Sequence, residues 1–211
     1  MNLLQMRLLV RRDLHDEDAV SYRWTDDEID RHIARAVKEM SVASPLEAKA
    51  AFSTTAGSRE VSIASLSDRV TLEAVEYPVG QYPPSYAPFS LWGDTLTLLV
   101  DSTPFAVEDL NVFYGKLHTL DENGSTIPTR LEDVVATGAA GYAALEWASF
   151  ATNRVNIGGD DTWRDYLVWG QQRLAAFHAA LSRYGQRSAV RVRRLYTPAL
   201  AFEGRAGSLQ S

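Results

Sequence analysis

The chain has 211 residues, 45% hydrophobic and 23% charged, the range of a soluble globular protein built as one large domain or as a core carrying an insertion. It has no cysteine, which excludes a disulfide framework and any thiolate metal site, and its net charge of −6 argues against a protein that coats nucleic acid broadly. The charge is unevenly placed: from Gln171 onward the charged residues are Arg173, Arg183, Arg187, Arg191, Arg193, Arg194, Arg205 and one acid, Glu203, so a basic end follows an acidic body.

Two helices are predicted at the N-terminal end. The first covers Asn2 to Arg12 and runs into an acidic loop, Asp13 to Asp18; the apolar stretch Met1 to Val10 lacks the basic start and small-residue cleavage site of a signal peptide. The second opens on Thr25-Asp-Asp-Glu28, a capping box in which the Thr and Glu side chains satisfy each other's backbone donors, with Trp24 and Ile29 at the spacing of a hydrophobic staple. Ile29, Ile33, Ala36, Val37 and Met40 then form one apolar stripe, and Pro45 lies just past the end.

From Ala48 to Leu120 the period changes to that of strands. Arg59–Ile63, Val70–Tyr77, Thr95–Val100 and Asp109–Tyr114 are rich in β-branched and aromatic residues, and turn residues separate them at Ala56-Gly57, Pro83-Pro84 and Trp92-Gly-Asp94. Val79–Pro88, with its prolines and tyrosines, reads as an exposed loop. An antiparallel module of about four or five strands, inserted between helices, is the economical reading.

Helices return after the turn Asp121–Gly124. Thr129-Arg-Leu-Glu132 reads as a second capping box opening a helix that runs to Arg154; its small residues Ala139, Ala140, Gly141, Ala143, Ala144 and Ala148 let another backbone approach closely. The low-charge stretch Val134–Val155 carries Glu146 and many Ala and Gly residues, the mark of a packed helix rather than a membrane span. Gly158-Gly159 breaks the chain, and a last helix runs from Asp160 to Tyr184 with Trp163, Tyr166, Leu167, Gly170, Leu174, Phe177 and Leu181 on one face. The fold class is therefore α+β: a bundle of about four helices with an inserted antiparallel β module and an extended C-terminal arm. Residues 1–46 are the N-terminal helical pair, 47–120 the β module, 121–186 a C-terminal pair packing on the first, and 187–211 the arm.

No constellation of reactive residues stands out. The acidic loop Asp13–Asp18 lacks the ligand spacing and turn glycine of a calcium site and reads as solvated; Asp26, Asp27 and Glu28 suit the positive end of a helix dipole. Gly158-Gly-Asp-Asp161 has the look of a polymerase motif, but Asp160 as the cap of the last helix accounts for it. His15, His32, His118 and His178 are scattered, with His118 at strand parity as a hydrogen-bonded sheet histidine; no catalytic group, metal or cofactor is expected. The basic arm stands apart. Arg191-Val-Arg-Arg-Leu-Tyr196 alternates as a strand does, and Val190, Val192, Leu195, Leu200 and Phe202 are costly to leave in water. Two readings stay open for this segment: a disordered solubilising tail, or, as the arginines alternating with apolar residues suggest, an arm that orders on a partner.

The order of segments resembles a known family. An acidic loop leads to Trp24-Thr-Asp-Asp-Glu-Ile-Asp30 and Ala36-Val-Lys-Glu-Met-Ser41, ending near Pro45; the β module follows with Arg59-Glu-Val-Ser-Ile63, Val75-Glu-Tyr-Pro78 and Leu98. Then come His118-Thr-Leu120, Ser125-Thr-Ile-Pro128 and Gly138-Ala-Ala-Gly-Tyr142, leading into a helical pair. Over about residues 1–185 this is similar to the head–tail connector, or adaptor, proteins of tailed bacteriophages, although the β segment is longer than in the smallest connectors.

The resemblance implies a structural virion protein, not an enzyme: a ring of about twelve copies beneath the portal, assembled in the host cytoplasm. In such a ring the helices form the wall, the β module faces the tail or outer surface, and the C-terminal segment reaches the portal. A tail or neck protein sits below, DNA leaves through the channel without specific binding, and no membrane is involved. An acidic wall suits such a channel, because it repels phosphates. The portal-binding residues would be Arg187, Arg191, Arg193, Arg194, Leu195, Tyr196, Leu200, Phe202 and Arg205. Two other classes stay open: another neck or tail-completion ring protein without the arm, and a DNA-binding packaging factor using Arg183 to Arg205 on phosphates, which salt would weaken steeply. An enzyme with a site assembled by tertiary structure ranks behind both.

Overall fold

Helix α1 (Leu3–Asp13) begins with a reciprocal cap: the Asn2 side chain accepts from the Gln5 amide at 3.0 Å, and Gln5 Oε1 accepts from the Asn2 amide at 2.9 Å. This computed structural model describes residues 1–152 and 162–185. Helix α2 (Asp26–Ala43) starts at the expected box, with Thr25 Oγ1 accepting from the Glu28 amide and Glu28 Oε2 from the Thr25 amide. Trp24 and the stripe Ile29, Ile33, Ala36, Val37 and Met40 are all buried in one core.

That core is closed by α3 (Thr129–Thr152) and α4 (Thr162–Gly185). Helix α3 is the central element, packed on each of the other three helices, which is why apolar residues surround it instead of forming a stripe. The small residues of α3 serve α4 of the same chain. A Cβ added at Gly138 would stand 2.9 Å from the Phe177 ring, one at Gly141 3.0 Å from Leu174, and one at Gly170 3.1 Å from the Gly141 carbonyl oxygen. Phe177 is buried to 1% exposure, worth about 1.5–3 kcal/mol.

The β module contains more than the four or five strands expected. Its seven strands are β1 (Leu46–Ser53), β2 (Glu60–Ser62), β3 (Arg69–Glu76), β4 (Tyr86–Ala87), β5 (Phe89–Trp92), β6 (Thr95–Leu98) and β7 (Asp109–Lys116). They form two antiparallel sheets, in the orders β1-β7-β3-β4 and β2-β6-β5. Val75, Leu110, Val112 and Tyr114 of the first and Val61, Leu96 and Leu98 of the second share one core. The loop Val79–Pro88 is exposed as expected up to Pro84, and Tyr86-Ala87 then add a short strand to β3.

Three local expectations are corrected. The acidic loop is not solvated throughout, since Asp16 is 7% exposed and ion-paired to Arg11 at 2.6 Å. The dipole of α2 does not fully account for Asp26, which also binds Arg7 and Arg11 at 2.9 and 2.7 Å. Thr129 is the first residue of α3, and Glu132 meets the Met1 ammonium at 2.8 Å, so the second capping box is not formed. Gly158-Gly159 and Asp160 lie outside the described residues.

His118 sits just past β7 and links module to bundle. Its amide donates to Ser41 Oγ at 3.0 Å, Nδ1 lies 2.9 Å from the Thr126 carbonyl, and Nε2 lies 3.1 Å from the Ser44 carbonyl. The buried histidine thus satisfies polar groups of three segments, where an unpaired one would be costly.

Candidate interaction site

The nine arm residues, Arg187, Arg191, Arg193, Arg194, Leu195, Tyr196, Leu200, Phe202 and Arg205, lie outside the described residues. The structure does place their point of departure. Helix α4 ends at Gly185, beside the C-terminal end of α2: a Cβ at Gly185 would stand 3.3 Å from the Ala43 carbonyl oxygen. Phe177 and Leu181 bury the preceding turns in the helical core. Gly185 is therefore held where the bundle meets β1.

The base and the arm differ in charge. After Gly185 there are five arginines and one acid, Glu203, a net +4; the overall −6 leaves −10 on residues 1–185. Several of these carboxylates are ion-paired within the helical body. Arg7 clasps Asp30 through two hydrogen bonds of 2.9 and 2.6 Å, and its pKa rises through that bond. Arg173 on α4 reaches Asp13 at 2.7 Å, and Arg31 bonds Glu146 across to α3.

Two clusters of titratable groups join the helices. In one, Tyr142 donates to Glu39 at 2.7 Å, with Arg35 and His178 also against that carboxylate at 3.3 and 3.4 Å. Burial and the Glu39 bond push the Tyr142 phenol up to about 12; burial raises Glu39, but the bonds from Tyr142, Arg35 and His178 win and hold it below the usual carboxylate value. In the other, burial holds His32 below its ordinary 6.5, although its Nε2 lies 2.6 Å from Glu146 without the alignment of a hydrogen bond. A protonated phenol, an ionised carboxylate and a neutral imidazole are the resting states of structural groups at neutral pH.

Outside the bundle, an open groove of about 400 Å³ runs between β3 and the β5–β6 hairpin. Its cation is engaged: Arg69 donates to the Leu66 and Gly93 carbonyls and to Asp94. Among the described residues no group of His, Asp or Glu side chains is arranged to hold a metal ion, and no helix is long and apolar enough to cross a membrane.

The sequence matches the family model of the SU10 adaptor protein over residues 1–199. The chain belongs to the SU10 adaptor family. It is thus a phage adaptor, a structural protein of the virion, from a family that is not one of enzymes. No curated protein matches the chain significantly. The family match runs past Gly185 to Ala199, so the arm through Tyr196 lies inside the SU10 adaptor region, whereas Leu200, Phe202 and Arg205 lie beyond it.

The buried Arg11–Asp16 pair and the Tyr142–Glu39 contact escape sequence reading, because each joins residues whose proximity depends on a loop path or a helix crossing. The approach of Gly185 to Ala43 has no counterpart in the sequence pattern either.

Proposed function

We propose that this SU10 adaptor forms a closed ring, of about twelve copies, beneath the portal and joins head to tail. The domain division proposed with it is a helical body of residues 1–46 and 121–186, a β module of 47–120 and a portal-docking arm of 187–211. The observation that carries the proposal is the family match extending through the arm to Ala199, on a segment whose charge opposes that of its body. Arg187, Arg191, Arg193, Arg194 and Arg205 meet portal carboxylates, preferably as bidentate pairs, while Leu195, Tyr196, Leu200 and Phe202 bury apolar surface there. A tail or neck protein docks below, and DNA passes through the acidic channel without specific binding. Assembly takes place in the host cytoplasm.

Gly138 and Gly141 of α3 are filled by Phe177 and Leu174 of the same chain, so ring contacts use other surfaces.

The test is portal binding by two variants: deletion of Ser188–Ser211, and Arg191→Glu with Arg193→Glu and Arg194→Glu. Both should stay folded and soluble and lose binding, while Leu195→Ala alone weakens it modestly. A truncated protein that docks with unchanged affinity would falsify the arm assignment.

A further inference from the structure

The four-stranded sheet ends on β1, which pairs with β7 residue for residue from Leu46↔Lys116 to Ser53↔Asp109 without a bulge. Among the described residues no strand lies on its other side and no hydrogen bond reaches the backbone of that edge. Alternate residues of β1 thus present unpaired N–H and C=O groups along eight residues. Natural sheets guard such edges with bulges, prolines, charges or a covering element. Here β1 carries two exposed charges, Glu47 and Lys49, and the Lys49 ammonium is turned toward Glu76 at 3.8 Å.

The two faces of β1 differ. Ala48, Ala50 and Phe52 stand opposite Tyr114, Val112 and Leu110 on the core side, yet each stays half-buried where its β7 partners are buried. On the other face Glu47 is exposed and has no ionic partner among the described residues. The edge therefore offers backbone hydrogen bonds, a half-covered row of apolar side chains and an unneutralised carboxylate.

The position of α4 supplies an occupant. The chain leaves Gly185 beside Ala43, three residues ahead of the start of β1 at Leu46. Three residues past Gly185 is Ser188, within a reach of about 10 Å. From there Val190 and Val192 alternate with Arg191 and Arg193 at strand period, in a segment opposite in charge to its body. A segment tethered this close to an edge meets it at high effective concentration.

We propose that the free edge of β1 takes Ser188–Arg193 of the same chain as a parallel fifth strand, with Val190 and Val192 on the face of Ala48, Ala50 and Phe52 and Arg191 and Arg193 on the face of Glu47. The strand stows the arm in the free subunit and covers the β1 edge. Where the same residues dock on the portal, they leave β1 to do so.

Because the chain has no cysteine, the pairing can be read by disulfide trapping in the full-length protein without portal, so its outcome is independent of the portal assignment. Ala50→Cys is combined with Val190→Cys or Val192→Cys, Ala51→Cys with Arg191→Cys or Arg193→Cys, and the mismatched combinations serve as controls. Matched pairs should close within one chain roughly fivefold or more faster than mismatched ones, as disulfide geometry demands. Equal rates for both parities overturn the proposal. So do disulfides that form only between chains, which would assign the edge to a second copy. In parallel, Val190→Asp with Val192→Asp in the full chain should speed hydrogen exchange of the β1 amides that point away from β7 by about tenfold or more. Unchanged exchange at those amides likewise overturns it.

Discussion

Replacing Arg11 by methionine tests how the N-terminal body is held together. Arg11 is 2% exposed. Its guanidinium donates to Asp16 at 2.6 Å, to the Trp24 carbonyl at 2.9 Å and to Asp26 at 2.7 Å, and it lies 3.6 Å from the centre of the Tyr22 ring. One cation thereby fixes the loop from Asp16 to Trp24 and the start of α2. Methionine keeps the buried stem but leaves Asp16, 6% exposed at its side chain, with the Arg23 amide at 2.7 Å and the Trp24 amide at 3.4 Å. Removing one partner of a buried pair costs about 3–5 kcal/mol, because the remaining charge is stranded. For a chain of this size that is a fall in Tm of about 6–20 °C, from a total stability of about 5–15 kcal/mol. Thermal and urea denaturation read the loss directly. Adding Asp16→Asn to Arg11→Met should recover part of it, since the stranded charge is gone while the amide oxygen still accepts from Arg23. A loss below about 1 kcal/mol for Arg11→Met, the size seen for exposed pairs, would refute the assignment of this pair as the anchor of the loop.

Gly170→Val should destabilise by about 1–3 kcal/mol in urea denaturation, since its Cβ would meet the Gly141 carbonyl at 3.1 Å, whereas Val168→Ala on the exposed face of α4 should change stability by about 0.5 kcal/mol at most. His32 gives a pH dependence whose sign follows from its depressed pKa. The unfolded chain takes up the proton first, so stability should fall as pH drops below 6.5, and His32→Asn should flatten that slope between about pH 7 and about pH 5. Glu39 and Glu146, both held below 4.5, add a further loss under more acid conditions, visible as a second fall in the urea midpoint.

The sequence was most legible where local chemistry decides. The Thr25–Glu28 box, the Ile29–Met40 stripe and the apolar face of α4 were readable because caps and periodicity act within a few residues. Strand β1 begins two residues before the expected change of period, and propensity does not mark it: Leu-Glu-Ala-Lys-Ala-Ala-Phe-Ser has the right alternation but small, helix-favouring alanines, and its pairing with β7 supplies what propensity does not. The short strands β4 and β5 hide among prolines and turn residues for the same reason. Asp16 looked like one more solvated acid because its partner Arg11 is brought to it by the fold of the loop. The arm residues were singled out by alternation and charge, whereas the place they start from, Gly185 against Ala43, is set by the crossing of α4 on α2.

The central claim is that many copies of this adaptor close into a ring on the portal. Electron microscopy of the purified adaptor–portal complex tests it most directly. A continuous collar of adaptor density with rotational symmetry, reduced to bare portal when Ser188–Ser211 is deleted, is the predicted result; one or two adaptor copies bound per portal would contradict it.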